Sequence, residues 1–458
     1  MRLIVLAGLL VACSAPPAPK PVAPPPPAKP TPPAKLTFPG VPVSPAGDQL
    51  AWVLDVIVKR HGVVTRPELE GHFHASFFAK LPADKAIQIF AEMGKQLAEL
   101  KIVEVQSVPD GLGARVTAGA SKLRISLSLD PTTGQISGLL VRGDVDTGPP
   151  LGSFEDALRT AATLAPKASL LVAALDNGAC KPQHELGGTD QLAIGSTFKL
   201  YVLLGLADRV LAGKAKWTDE LAVRDDWKSL PSGVTQNELP RTKHPLQLYA
   251  ERMIGISDNT AADHLIYTLG RKQVEAALRS TQHAQPARDL PFLTTRELFV
   301  LKLGTPAAEL ERYLKLPEAA RRDYLDKRLA GKVAPFDVAG SWKTARQIDK
   351  LEWFASAEDL CRAMGTLWTR AQDPKAAAVL DVLSRNPGLP IDKKVWPYIG
   401  FKGGSEPGVI NMTYLLKRDD GQWFVVVLGF NAAEGSALKD DQIFGLALGV
   451  IDLLGKTR

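Results

Sequence analysis

The chain runs to 458 residues, more than one hydrophobic core usually holds, which sets an expectation of two globular domains with additions. Hydrophobic residues make up 45% and charged residues 23%, the balance of an ordinary soluble protein. The formal net charge of +6 is a mild basic excess that suits an anionic surface such as a cell envelope; with no Lys/Arg block and no RNA- or DNA-binding motif, it speaks against nucleic acid as a partner.

The N-terminus sets the expected compartment. Arg2 is a short basic start, and residues 3–11 form an apolar run too short to span a bilayer but suited to a signal segment. The run ends in Leu10-Val11-Ala12-Cys13, which resembles the lipobox of bacterial lipoproteins. The resemblance implies export, with cleavage before Cys13 and a lipid anchor on it, so residues 1–13 read as a lipoprotein signal. Residues 14–45 are rich in Pro, Ala and Lys. Proline fixes φ and removes a donor, so this stretch reads as a semi-rigid tether holding a soluble body off a membrane.

Residues 46–148 read as a small α+β domain. Leu50, Val53, Leu54, Ile57 and Val58 recur at helical spacing, and Thr65-Arg66-Pro67-Glu68 is a helix start with proline in its first turn. Strand patterns follow over 102–108, 114–117, 123–129 and 136–141, the last two separated by the turn Asp130-Pro131-Thr132-Thr133-Gly134. Helices followed by an antiparallel meander give that class. His72 and His74 lie two apart, which on a helix puts them on different faces, so they make a poor metal pair.

Residues 149–458 read as a second domain. A helix over 154–164 precedes an apolar strand over 170–175. A long helical middle follows, then strands over 409–416 and 423–430 flanking the hairpin signal Arg418-Asp419-Asp420-Gly421, and a closing helix over 441–454. Strands from both ends of the segment enclosing helices predict one sheet built from distant parts. The three cysteines, Cys13, Cys180 and Cys361, are too far apart for a zinc motif. Cys180 and Cys361 are either a disulfide or two buried thiols. Neither a metal nor an organic cofactor is called for.

Three short motifs carry the chemistry. In Ser196-Thr197-Phe198-Lys199, Ser and Lys three apart on a helix share a face, and an amine beside a hydroxyl removes its proton when burial or another cation lowers the amine's pKa. A helix N-terminus at Ser196 would add partial positive charge and a backbone N–H aimed at an oxyanion. Ser257-Asp258-Asn259 offers a hydroxyl and an amide for proton relay and substrate binding, or else a helix N-cap. Lys402-Gly403-Gly404-Ser405 suits a strand closely approached by a ligand, or a bulged surface strand. A second Ser-x-x-Lys, Ser436-Ala437-Leu438-Lys439, has nothing downstream and reads as chance.

In this order the motifs resemble the Ser-x-x-Lys, Ser-Asp-Asn and Lys-Thr-Gly set of class A β-lactamases and penicillin-binding proteins. The run from Gly255 to Asp263, Gly-Ile-Ser-Asp-Asn-Thr-Ala-Ala-Asp, resembles the family beyond the core triplet. The small α+β domain ahead of it, with Phe292-Leu293-Thr294-Thr295-Arg296-Glu297-Leu298, is similar to the β-lactamase-like protein of the clavulanic acid gene cluster, which has a steroid-isomerase-like N-terminal domain. The resemblance implies an antiparallel sheet flanked by helices plus a helical domain. It makes Ser196 the nucleophile, Lys199 its base, and Ser257 and Lys402 further catalytic groups. Asn259, Gly403, Gly404 and Ser405 would bind substrate, the Ser405 N–H as second oxyanion donor.

Two departures stand out. The third motif lacks the hydroxyl that helps hold a substrate carboxylate, which Ser405 replaces in part. The glutamate nearest to the family's deacylating base is Glu297, and Thr294-x-x-Glu297 is equally a capping box. Beyond it comes an insert, charged and helical over 310–333, that reads as a lid or a solvated helix. Two functions stay open: an exported serine hydrolase working through an acyl-enzyme on a β-lactam or related amide or ester, or a binding module that senses cell-wall peptides with little turnover.

Overall fold

The computed structural model describes residues 38–78, 81–108, 111–119, 121–143, 151–230, 232–332 and 342–457. The signal segment, Cys13 and tether residues 14–37 lie outside the described residues. The chain divides into two compact units, Met1–Arg142 and Gly143–Arg458.

In the first unit, α1 (Pro45–Leu54) starts where the side chain of Ser44 accepts the Gly47 N–H, with proline at its first position. Pro45, read from composition as the last tether residue, is thus the first residue of a helix, and Phe38 and Val41 already pack against this unit's core. The chain continues through α2 (Arg66–His72), opened by a Thr65/Glu68 capping box, α3 (Ala75–Phe78) and α4 (Ala83–Gln96). Strands β1 (Leu100–Val108), β2 (Gly111–Ala118), β3 (Ser121–Leu129) and β4 (Ile136–Gly143) then form one sheet in chain order. Leu112, Ala114 and Val116 of β2 and Ile125 and Leu127 of β3 meet Leu50, Val53, Leu54 and Phe90 in the core. Every second strand residue points there, as the pleat requires. His72 stacks on Trp52 at 3.9 Å and its Nδ1 meets Gln49 Oε1 at 2.8 Å, while Nδ1 of His74 meets Ser76 Oγ.

The second unit opens with α5 (Phe154–Leu164), capped by Ser153, followed by β5 (Lys167–Asp176), β6 (Ala179–Leu186) and the short β7 (Leu192–Ala193). A 3₁₀ turn, Gly195–Phe198, runs into α6 (Lys199–Leu211). Next come the small pair β8 (Glu220–Ala222) and β9 (Lys243–Pro245), then α7 (Leu246–Gly255), α8 (Asn259–Leu269), α9 (Arg271–Ser280) and α10 (Thr295–Phe299). β10 (Phe354–Ala355) pairs with β7. The late strands β11 (Tyr398–Glu406), β12 (Val409–Lys417) and β13 (Trp423–Asn431) complete a five-stranded antiparallel sheet, ordered β11-β12-β13-β5-β6.

This sheet is buried on both faces. Leu170, Val172, Val426 and Leu428 face α5 and the closing helix Asp440–Lys456; Leu171, Ala173, Val425 and Val427 face α6 and the helix Ala357–Arg370. Cys180 of β6 and Cys361 of that last helix form a disulfide, with Cα atoms 6.1 Å apart. Within the insert, Leu310, Tyr313, Leu325 and Leu329 are buried in the same core as α6 and α9, while the helix Glu318–Tyr324 has no buried residue. Residues 333–341 lie outside the described set.

Candidate active site

Ser196 sits in the 3₁₀ turn, half-buried, one residue after Gly195, whose φ of +47° lets the chain swing from β7 into α6. Lys199 is the first residue of α6 and is fully buried. Its Nζ lies 3.1 Å from Ser196 Oγ and 3.1 Å from Ser257 Oγ, and donates to Ser257 O and Asn259 Oδ1, each at 2.7 Å. Burial pushes this amine down to about 7. Lys402, on β11, brings its Nζ to 3.0 Å from Ser257 Oγ and also donates to Gly403 O. Burial, and after it the nearby Lys199 charge, holds Lys402 well below the ordinary lysine range.

Ser257-Asp258-Asn259 serves both readings at once, residue by residue. Asp258 is the N-cap of α8: its Oδ1 accepts Ala261 N at 2.8 Å, and its Oδ2 accepts Val234 N, Thr235 N and Thr235 Oγ1. Ser257, just before the cap, has φ +55°. A left-handed non-glycine residue costs about 1–3 kcal/mol and persists where the surroundings enforce it, often at functional sites. Here it delivers the hydroxyl to both lysines. Asn259, the first helical residue, turns Oδ1 to Lys199 and donates Nδ2 to Leu230 O at 3.1 Å.

The Lys-Gly-Gly-Ser segment lies on an edge strand, so one row of its N–H and C=O groups is outside the ladder. Gly404 is required for its approach to the nucleophile's turn: a Cβ there would stand 1.9 Å from Ile194 O and 2.8 Å from Ser196 N. A Cβ on Gly195 would in turn be 3.1 Å from Ser405 N. The Gly404–Ser405 backbone thus lies directly against the turn that carries Ser196. Gly403 is looser, since a Cβ there would meet only the far end of the Phe401 ring at under 3 Å.

Glu297 is not brought into this cluster. It completes the capping box of α10, accepting Thr294 N at 2.8 Å while its own N–H goes to Thr294 Oγ1, and Arg271 grips both carboxylate oxygens at 2.6 and 3.0 Å. Of its two readings, cap or general base, its contacts fill the cap: the carboxylate bonds Thr294 and Arg271. Three positioning groups escaped the sequence reading. Ser232 Oγ donates to Ser257 O at 2.6 Å. Asp263 accepts Thr295 N, Thr295 Oγ1 and Arg296 N at 2.7–2.9 Å and fixes the loop entering α10. Its i,i+4 spacing from Asn259 was the available signal. Thr295 Oγ1 also lies 2.7 Å from Ser229 Oγ, accepting that hydroxyl while its own proton goes to Asp263. Among the described residues no group of three or more His, Cys, Asp or Glu is placed to hold a metal ion.

Residues 154–446 match the family described as the β-lactamase enzyme family. The chain belongs to that family. Within the first unit, residues 41–133 match the family described as the ORF 12 gene product N-terminal, in keeping with the resemblance of the front half to the clavulanic acid cluster protein. No curated protein matches this β-lactamase-family chain. Solved structures similar to it include the β-lactamase of Sphaerobacter thermophilus, 19% identical, with 66% of this chain and 97% of that one covered at a TM-score of 0.45. A β-lactamase of Chitinophaga pinensis is 14% identical, covering 66% and 98% at 0.45. PBP-A is 17% identical, covering 69% and 100% at 0.44.

Proposed function

We propose that this protein is an exported, lipid-anchored serine hydrolase that is acylated on Ser196 by a β-lactam or a related amide or ester. The observation that carries this reading is the buried Lys199 amine, 3.1 Å from Ser196 Oγ and held near neutrality by burial. As a free base Lys199 takes the Ser196 proton; Ser196 Oγ attacks the carbonyl, and the N–H groups of Ser196 and Ser405 stabilise the oxyanion. The proton then passes from Lys199 through Ser257, which both lysines touch, to the leaving nitrogen. Asn259 and the 403–405 backbone hold the substrate, and the Lys402 amine, turned to Ser257 Oγ, keeps that hydroxyl in the relay. No metal or cofactor takes part.

The ester formed on Ser196 then needs an activated water. Glu297 is committed to Arg271 and to the Thr294 N–H, so the acyl-enzyme breaks down slowly with β-lactams, and turnover is confined to small, reactive esters. That same commitment favours a second reading, a sensor of cell-wall peptides that binds with little turnover. Intact-mass measurement after mixing with a penicillin and, separately, with an activated ester separates the outcomes. Acyl-enzyme trapped on wild type and absent from Ser196→Ala supports the hydrolase; no adduct with either probe favours the sensor; equal labelling of Ser196→Ala removes Ser196 from the mechanism.

A further inference from the structure

Three ionisable side chains in the second unit are buried together and have no part in the mechanism above. Lys302, in the turn that continues α10, places Nζ 2.5 Å from Glu352 Oε1 and 2.6 Å from Glu406 Oε1. The side chains of Lys302 and Glu352 are fully buried and that of Glu406 is 7% exposed.

Each carboxylate sits beside a segment that carries or clasps one of the two amide donors. Glu406 follows Ser405 directly and, by the two-residue period of a strand, points to the same face as Lys402 and Gly404. Glu352 directly precedes Trp353. The Trp353 carbonyl accepts Ile194 N at 3.0 Å, and its ring stacks on Phe198 at 3.8 Å, so it grips the turn bearing Ser196 on both sides. Lys302 thus bonds both the end of β11 and the segment clasping the nucleophile's turn.

We propose that Lys302 is a positioning residue for the oxyanion pocket, bridging Glu406 and Glu352 so that the Ser405 and Ser196 N–H groups keep their spacing. The inference rests on the acyl-transfer reading of the preceding section. Stability alone is a weak account of the cluster, since well-packed apolar side chains commonly replace a buried ion group without loss. Geometry is a better account: an oxyanion donor acts only when aimed at the charge as it develops. Burial, with Glu352 alongside, holds Glu406 well above the usual carboxylate range. With Lys302 gone, Glu352 and Glu406 are left without their counter-charge and the amine's link between β11 and the 352 segment is lost.

The test uses the full-length protein and single-turnover acylation by a fluorescent penicillin, with folding of each variant checked by its melting transition. Lys302→Met and Glu406→Ala are expected to lower the limiting acylation rate constant about 100-fold, the usual cost of one oxyanion donor, with the half-saturating penicillin concentration little changed. Glu406→Gln still accepts a hydrogen bond from Lys302 and is expected to stay near the wild-type rate. A purely structural role would lower the melting temperature without altering the rate constant of the folded fraction. Should Lys302→Met fail to fold, Glu406→Ala at the strand's end decides. Folded variants that acylate like wild type overturn the bridge while leaving the Ser196 mechanism standing. Wild type that takes no label, or Ser196→Ala that still does, overturns the acyl-transfer reading and this proposal together.

Discussion

Lys199 and Lys402 converge on a single hydroxyl, Ser257 Oγ, at 3.1 and 3.0 Å. Burial disfavours the charge on both amines, and the Lys199 charge further disfavours that on Lys402. The pair gives the site a free base near neutral pH and a route for its proton.

A pH dependence follows from Lys199. Its pKa is lowered to about 7, so the free amine prevails above that pH and the ammonium, which cannot accept the Ser196 proton, prevails below it. Acylation should rise with pH, level off above about 7 and fall roughly tenfold per unit on the acid side. Stopped-flow acylation between pH 5 and 9 checks this; a flat profile would remove Lys199 as the base.

Glu297 is expected to matter for folding and not for deacylation. Glu297→Gln still caps α10 and should leave the acyl-enzyme lifetime unchanged. Glu297→Ala strips the cap and leaves Arg271, itself mostly buried, without its carboxylate, at a cost of about 3 kcal/mol. Fast penicillin turnover by wild type that stalls in Glu297→Gln would instead make Glu297 the general base.

The two glycines of the third motif should respond in opposite ways. Gly404→Ala drives a Cβ into Ile194 O and the Ser196 amide and should cut acylation about 100-fold or more, because that backbone cannot step aside. Gly403→Thr meets only the movable edge of Phe401. It restores the hydroxyl found in related sequences and should improve acylation by carboxylate-bearing penicillins about tenfold, the worth of one hydrogen bond to a charged group. Neutral esters should not gain. Parallel kinetics with both substrate types reads the difference.

Cys13→Ala is expected to move the protein from the membrane fraction to the soluble one, because among the described residues no helix is long and apolar enough to cross a membrane. Equal retention in the membrane fraction would dispose of the anchor.

Much of this architecture is written locally. The 3.6-residue period marks α1 and α5, the two-residue period marks β3, a short apolar run marks β5 and a hairpin signal marks β12 and β13, while the capping boxes at Thr65 and Thr294 are four-residue signals. β6 is missed because an outer strand with Lys181, Pro182, Gln183 and Glu185 carries no apolar alternation. Proline composition likewise conceals the start of α1 at Pro45, where the same residue suits a first helical turn. The site is legible because Ser196 and Lys199 are three apart and the other motifs are short. What one sequence cannot display is pairing across long separations. Lys302, Glu352 and Glu406 look like three unrelated surface charges until the fold buries them together, and Cys180 meets Cys361 only through the packing of β6 against a distant helix.

The sheet joins the two ends of the second unit: Leu170 of β5 lies opposite Leu428 of β13, and Lys402 and Ser405 stand on the strand at its far edge. Contacts of such long range close late in folding. A nascent chain therefore carries Ser196 and Lys199 well before it holds the second lysine, the second amide donor or the strand that walls the pocket. Under the proposed mechanism, a chain cut short ahead of β11 is expected to resist acylation, since it lacks Lys402 and the Ser405 amide.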